Sequence, residues 1–417
     1  MKISAEIDTD FGLGLRPIHF APLMGSGIFT QDGAAWKRSR ALLRPQFSSN
    51  RYQNFSEIRA CVESLIRSIP KDGIVDLQPL FFRLTFDTTT FLLFGETTSS
   101  LQNREIAGQE SEFAKAFNVS QEYLSHRGRL GPFYWLTNTP TFRRSCETSH
   151  RFVDQEVQKA LDAAAASKPS VIATDKEESA KKRYVFIDAL IEQTQDKKEL
   201  RDQCLNVLLA GRDTTACCLT WTLRLLARHP RVFQKLRAEI ETVTGLGEDA
   251  QEPTREHLKK LRYLDLILKE VLRLYPSVPV NSRAALKTTT LPVGGGPDGQ
   301  SPVLVREGAA VGYCVYAMHR RKDLYGEDAN EFRPERWEDG QLSANIGYGY
   351  LPFNGGPRLC LGQDFALLEA GYTVARLVQQ FSSITVPDGE PDVKVGKEKQ
   401  TLTLVVTPSD GCWVKLG

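Results

Sequence analysis

Cys360 stands in the run Phe353-Asn-Gly-Gly-Pro-Arg-Leu-Cys-Leu-Gly362, between a glycine-rich turn and a segment of helical periodicity. Leu361, Phe365, Leu368, Tyr372, Ala375 and Val378 follow at spacings of three or four, as one helix face requires. Backbone N–H donors and the positive end of a helix dipole at such a junction favour the thiolate, which is a metal ligand. A buried cysteine at a helix start is the commoner meaning of this placement, so the rest of the chain must decide. Ala210-Gly-Arg-Asp-Thr-Thr215 is the second place where residue types suggest chemistry. Gly, Asp and Thr are poor mid-helix residues, and their hydroxyls and carboxylate compete for backbone partners. A carboxylate beside a hydroxyl can also pass protons through an apolar pocket.

Two further pairs have helix-face spacing. Trp36 and Arg40 are i and i+4 in a basic run, residues 33–56, that holds Lys37, Arg38, Arg40, Arg44 and Arg51 and no acidic residue. Such a run is usually a solvated face, and the sharper reading is a surface that receives carboxylates. Glu270 and Arg273 are i and i+3, an ion-pair spacing that occurs on many helices by chance.

The elements that must position these residues follow from periodicity. The first 30 residues read as loop and turn. A helical pattern runs from Ala34 to about Arg67, broken at Pro45, and residues 80–94 read as a core helix. An aromatic-rich stretch covers Phe113 to Trp135, with a boundary at Gly131-Pro132. Residues 161–183 are poor in large apolar side chains and read as a flexible internal connection. Leucines at three- and four-residue steps from Glu199 to Arg228 predict a helix about 45 Å long, with the Gly-Arg-Asp-Thr-Thr run at its centre. Arg255–Tyr275 reads as one amphipathic helix. Residues 291–318 alternate as a hairpin with a long glycine tip, and Thr401–Val406 with Cys412–Leu416 reads as a closing hairpin.

Bulk composition is that of a soluble globular chain, 41% hydrophobic and 25% charged over 417 residues, with a net charge of +2 that excludes a general nucleic-acid binder. The eight cysteines include no C-x-x-C pair, so neither a zinc knuckle nor a disulfide framework is indicated, and a reducing compartment is expected. No apolar run reaches membrane-spanning length, and the chain as given reads as soluble and intracellular.

The Phe-x-x-Gly-x-Arg-x-Cys-x-Gly run resembles the haem-binding signature of cytochromes P-450, with every fixed position present. Other elements agree. Trp36/Arg40 resembles the family's propionate-binding pair, the Ala-Gly-Arg-Asp-Thr-Thr run its distal helix, and Glu270/Arg273 with Phe332-Arg-Pro-Glu-Arg336-Trp337 its Glu–Arg–Arg network. The resemblance implies a mainly α fold with small β-sheets, lacking the family's N-terminal anchor, first helices and first strands, and one catalytic domain over residues 1–417. It implies haem b held through Cys360, with Trp36, Arg40, Gly211, Arg283, Phe353, Gly356 and Arg358 around it. Gly211 would leave room for dioxygen, and Asp213 and Thr214 would deliver protons to it. Glu270, Arg273 and Arg336 would lock the core behind the cysteine loop.

The implied activity is insertion of one oxygen atom from O2 into a C–H bond of a hydrophobic small molecule. The electrons would come ultimately from NADPH through a flavoprotein reductase, and Lys37 and Arg38 would form part of the surface facing it. Full-length relatives would sit on the cytosolic face of the endoplasmic reticulum membrane. Gly27-Ile-Phe-Thr, the run from Trp36 to Phe47 and Ala-Gly-Arg-Asp-Thr-Thr-Ala are similar to fungal hydroxylases of n-alkanes and fatty-acid chain ends. Family chains carry on the order of a hundred residues ahead of the Trp-x-x-x-Arg helix, so the chain reads as the C-terminal four-fifths or so of a family member. Two other readings stand beside this one. One is a truncated fragment that does not retain haem. The other is a reductase-independent haem-thiolate isomerase or dehydratase, against which the intact Asp213-Thr214 pair argues.

Overall fold

The structure, a computed structural model, describes residues 9–47, 56–95, 101, 109–166, 185–247, 250–391 and 393–417. Its longer helices are α1 (Arg16–Met24), α2 (Gly33–Leu43), α3 (Ser56–Ser68), α4 (Leu77–Phe94), α5 (Gln109–Leu130), α6 (Pro140–Ala166), α7 (Lys197–Arg228), α8 (Pro230–Thr244), α9 (Arg262–Leu274) and α10 (Gln363–Gln380). Four small antiparallel sheets accompany them. Strand β1 (Phe11–Gly12) pairs with β3 (Val280–Ala285), which pairs with β6 (Ala310–Cys314). A second sheet orders β2 (Ile74–Asp76), β10 (Trp413–Leu416) and β7 (Ile384–Thr385). Two hairpins remain, β4 (Thr289–Gly295) with β5 (Ser301–Val305) and β8 (Gln400–Leu402) with β9 (Val406–Pro408). The expected mainly α fold with small sheets is present.

The chain divides into two compact units. One comprises Met1–Gly14, Ile58–Thr85 and Arg212–Gly417; the other comprises Leu15–Glu57 and Phe86–Gly211. In the second, α5 and α6 join along an aromatic seam, where Phe113 stacks on Phe152 at 4.1 Å and Tyr123 on Phe142 at 5.2 Å. There the turn after α1 is fastened to the first half of α7. Ser26 N–H donates to Asp202 Oδ2 at 2.8 Å, and Phe29 N–H to Asn206 Oδ1 at 3.1 Å. Gly25 sits at φ 59°, and a Cβ there would lie 2.1 Å from the Asp202 carboxyl carbon, so the close approach requires glycine.

In the first unit, α10 presents Phe365, Tyr372, Ala375 and Val378 to the interior, the face that the spacing after Cys360 predicts. Val406 at the start of β9 is held by two side chains of α7. Trp221 Nε1 donates to its carbonyl at 2.9 Å and Cys217 Sγ lies 2.8 Å from it, while the Trp221 ring stacks on Tyr275 at 3.7 Å.

Several expectations are corrected. The first 30 residues are not all loop: α1 occupies Arg16–Met24 with Pro17 in its first turn, where a missing N–H costs nothing. Residues 161–166 belong to α6, because an alanine run is a strong helix former whatever its lack of core side chains. The rest of the expected connection, 167–183, lies outside the described residues. Arg255–Tyr275 is two helices, Arg255–Lys260 and α9, parted where Leu261 turns to ψ 72°.

The 291–318 alternation is split between sheets. Only β4 and β5 form the hairpin, whereas Ala310–Cys314 pairs with β3 and Val315–Met318 is a short helix. The closing hairpin is likewise confined to β8 and β9, and β10 pairs with β2 and β7 instead. In each case period-two patterning marks a strand correctly but does not say which neighbour it pairs with.

Candidate haem-thiolate site

Of the eight cysteines, only Cys314 and Cys360 are exposed. Burial pushes the Cys146 thiol up to about 11 and the Cys204, Cys218 and Cys412 thiols up to about 12, and it raises Cys217 as well. Those thiols stay protonated and inert. Cys360 lies between the short turn Gly356–Arg358 and the start of α10 at Gln363. Its N–H donates to the Phe353 carbonyl at 3.0 Å, closing the loop into a hairpin-like bend. At the head of that bend Asn354 adopts φ 66° and Gly356 φ 69°. Asparagine tolerates the left-handed region better than most residues, and Tyr313 Oη holds its side chain with a 3.2 Å hydrogen bond.

Arg283, on β3 of the same unit, is 3% exposed. One terminal nitrogen donates to Asn281 Oδ1 at 3.0 Å and to the Ser282 carbonyl at 2.7 Å. Its Nε is buried without a hydrogen-bond partner, and among the described residues Arg283 forms no ion pair. A buried guanidinium with a donor to spare is suited to an anionic group brought from outside. Arg358, expected beside it in function, is half-buried and points from the cysteine loop itself.

The Glu270–Arg273–Arg336 network is formed completely. Glu270 Oε1 accepts from Arg273 at 2.8 Å, from Arg336 Nε at 2.8 Å and from the Arg333 N–H at 3.0 Å. Its Oε2 accepts from Arg273 Nε at 2.8 Å and from Trp337 Nε1 at 2.9 Å. Arg273 also donates to the carbonyls of His319, Ala329 and Glu331, and Arg336 to Tyr325 and Asp328. The indole of Trp337 was not assigned a role from sequence, although it directly follows Arg336 and could have been read with it.

On α7, the ladder stays helical through the Gly-Arg-Asp-Thr-Thr run, which is the expected helix extended to Lys197. The run is instead marked by side chains that reach its carbonyls. Thr85 Oγ1 donates to the Arg212 carbonyl at 2.7 Å, and Ser277 Oγ to the Thr214 carbonyl at 2.9 Å. Arg212 and Asp213 are both buried and pair at 3.2 Å. Burial lowers the Arg212 pKa, Asp213 opposes that shift, and the guanidinium lies 5.4 Å from the Phe82 ring centre. In the other unit, a Cβ at Gly211 would lie 2.7 Å from Thr89 Oγ1, so what this glycine admits in the structure is the hydroxyl of α4. No sequence signal pointed to Thr85 or Thr89, which read as plain core of a hydrophobic helix. Trp36 is buried there too, with the Arg40 guanidinium 5.7 Å from its ring centre, as the i, i+4 spacing predicts.

An exposed cysteine ahead of a long buried helix, in a mainly helical fold with a spare buried arginine, is an arrangement suited to thiolate-ligated haem. The cytochrome P-450 family profile matches residues 15–413. A "Cytochrome P-450" of Arthroderma benhamiae is 60% identical over 411 residues, covering 98% of this chain and 81% of that protein. Cytochrome P-450 52A13 of Debaryomyces hansenii is 46% identical and cytochrome P-450 52A5 of Candida maltosa 47% identical. Each alignment covers 98% of this chain, and 78% and 77% of the respective relatives. Among solved structures, the haem domain of cytochrome P-450DA superposes with a TM-score of 0.78 at 22% identity, covering 98% of this chain and 84% of that one. The chain belongs to the cytochrome P-450 family.

It is accordingly a monooxygenase whose cofactor is haem iron, with dioxygen as co-substrate and electrons derived from NADPH. The residues present fit that group: Cys360 supplies the only exposed thiol on a conformationally defined loop, and Arg283 a buried cation for a carboxylate. Among the described residues no helix is long and apolar enough to cross a membrane.

Proposed function

We propose that this monooxygenase hydroxylates the chain end of an n-alkane or fatty acid, with Cys360 as the thiolate that would hold its haem iron. The observation that carries the ligand assignment is the exposure of Cys360 on a loop closed by its own N–H, while all but one of the other thiols are buried. The aliphatic substrate rests on the likeness of the Trp36–Phe47 and Ala-Gly-Arg-Asp-Thr-Thr-Ala runs to fungal alkane and fatty-acid hydroxylases. The identity to the two 52A relatives agrees with it.

When bound, the haem supplies dioxygen activation, helped by electron density from the thiolate. The chain's own residues do the rest. By the family resemblance, Trp36, Arg40, Arg283 and Arg358 would be the propionate-binding residues, acting by charge and N–H donation. The Asp213 carboxylate would pass protons to the Thr214 hydroxyl, and Arg212, paired to Asp213 at 3.2 Å, would hold that carboxylate in place. Glu270, Arg273 and Arg336 would keep the segment behind the cysteine loop rigid. Lys37 and Arg38, both exposed on α2, would form part of the surface that meets a reductase.

A chain-length series tests the substrate. Dodecanoate or hexadecane should shift the ferric spectrum of the haem-loaded protein, with affinity rising with chain length. A series with no spectral response at any length would overturn the aliphatic assignment while leaving the haem assignment intact.

A further inference from the structure

We infer that His319 is a positioning residue for the cysteine ligand, tying the segment that enters the cysteine loop to the helix that carries Glu270 and Arg273. Its ring is fully buried. The Leu351 N–H donates to Nε2 at 2.8 Å, and Nδ1 lies 3.0 Å from the Arg273 carbonyl. A backbone N–H can only donate, so Nε2 must be the unprotonated nitrogen and Nδ1 carries the proton that Arg273 accepts. Arg273 lies in the last turn of α9, where helix carbonyls lack intrahelical partners, so the bond also caps that helix.

The coupling is two-sided. The His319 carbonyl accepts from the Arg273 guanidinium at 2.8 Å, so His319 and Arg273 are joined through both main chain and side chain. From Leu351 the connection to the ligand is short. The Leu351 carbonyl accepts from Asn354 N–H at 3.2 Å, and Phe353 accepts from Cys360 N–H at 3.0 Å. The imidazole therefore carries the order of the Glu270 network into the backbone that enters the cysteine bend. It does so beside Tyr350, whose hydroxyl donates to the Lys269 carbonyl at 3.1 Å, and Tyr325, whose hydroxyl donates to the Gly349 carbonyl at 2.8 Å.

The neutral ring is required by this geometry. Arg273 and Arg320 are the charged groups that face it, Tyr350 stacks on it at 5.2 Å, and Tyr325 meets it edge-on at 6.4 Å. Burial, then the two arginines, hold its pKa at about 3, below the ordinary 6.5. Between those values the unfolded chain binds a proton that the folded protein does not. The contribution is thus complete above 6.5 and is lost as pH falls toward about 3.

The test uses the haem-loaded protein and reads the reduced carbon-monoxide spectrum, whose long-wavelength band reports thiolate ligation and whose short-wavelength band reports its loss. His319→Phe keeps the ring that stacks on Tyr350 but strands the Leu351 N–H. The ratio of long- to short-wavelength band should fall about tenfold, as for a buried donor without its acceptor. His319→Gln, whose amide oxygen can accept from Leu351, should restore most of the ratio and should keep it to lower pH than the parent, having no group to titrate.

A Phe variant with the parental ratio would overturn the inference. If that variant does not fold, identical acid midpoints for the parent and His319→Gln would overturn it as well. The inference rests on Cys360 being the ligand, which Cys360→Ser tests separately: a long-wavelength band surviving in that variant would refute the ligand, whatever His319 does.

Discussion

Two buried arginines of the same unit, Arg273 and Arg283, meet opposite fates. Arg273 is 0% exposed, and its fork is filled by two carboxylate oxygens of Glu270 and three main-chain carbonyls. Arg283 is 3% exposed, bonds only its own strand, and keeps Nε without a partner. Burying a guanidinium is costly unless its donors are satisfied. A complete fork therefore marks architecture, whereas an incomplete one leaves a buried donor that an anion from outside could take. The difference predicts that removing Arg273's partner breaks the fold, whereas removing Arg283 impairs the cofactor.

The largest effect should come from Glu270→Ala. Five donors, three of them from arginine side chains, would lose their acceptor in a dry interior. Stranding buried charge in this way costs about 3–5 kcal/mol, a large part of a domain's stability. Urea denaturation of the purified variant should show it, if soluble protein is obtained at all. A midpoint within error of the parent would mean that the complete fork is ornament, and the comparison would fail at its stronger end.

Asp213→Asn probes a buried pair of intermediate kind, one that a reaction would use. The amide still accepts from Arg212 but cannot ionise, so the fold and haem content should be unchanged. Turnover should fall about 10²-fold, with reducing equivalents diverted to peroxide, which is the size of effect a positioned proton donor supplies. Product formation measured against NADPH consumption decides. Unaltered coupling would remove Asp213 from the proton path and leave the pair as structure like Arg273.

Arg283 has a natural control in Arg224, which is 2% exposed, donates one terminal nitrogen to the Gly411 carbonyl at 2.8 Å and likewise keeps a buried Nε without partner. If an incomplete fork always means a cofactor, Arg283→Gln and Arg224→Gln should both lower haem retention. The expected result is that only Arg283→Gln does so, by several-fold in haem per protein, since a charge-assisted hydrogen bond contributes about 1.5–3 kcal/mol. Equal losses would show that an orphaned donor is a poor guide, and no loss in either would remove Arg283 from the haem site.

The sequence made the parts of the site legible unevenly. Cys360, Glu270, Arg273 and Arg336 could be read because each lies in a short run that resembles a family signature; spacing alone would not have singled out Glu270 and Arg273. The long helix α7 was readable because leucine periodicity survives over many turns. What could not be read was pairing across distance. Nothing in the alternation of residues 310–314 says that they join β3 and not β5. Nothing about Thr85 says that its hydroxyl reaches the Arg212 carbonyl. Arg16–Met24 was hidden for a different reason: Pro17 and Pro22 look like punctuation, yet the first is a helix start. His319 was invisible because a lone histidine carries no spacing at all.

Exposed cations complete the comparison at its weak end. Arg38 pairs with Glu199 at 3.0 Å but is 73% exposed, and Lys37 is exposed beside it. Neither contributes much to stability, since solvent screens such pairs. Their proposed use is long-range attraction of a reductase, a rate effect that fades once ionic strength shortens the screening length to about 10 Å. Lys37→Glu with Arg38→Glu should leave the carbon-monoxide spectrum and the denaturation midpoint as they are and slow first-electron reduction several-fold at low salt. At high salt the variant and parent should converge. A variant reduced at the parental rate at low salt would place the reductase elsewhere. A variant slowed equally at all salts would mean that these residues make short-range contacts, closer in kind to Arg283 than to a solvated face.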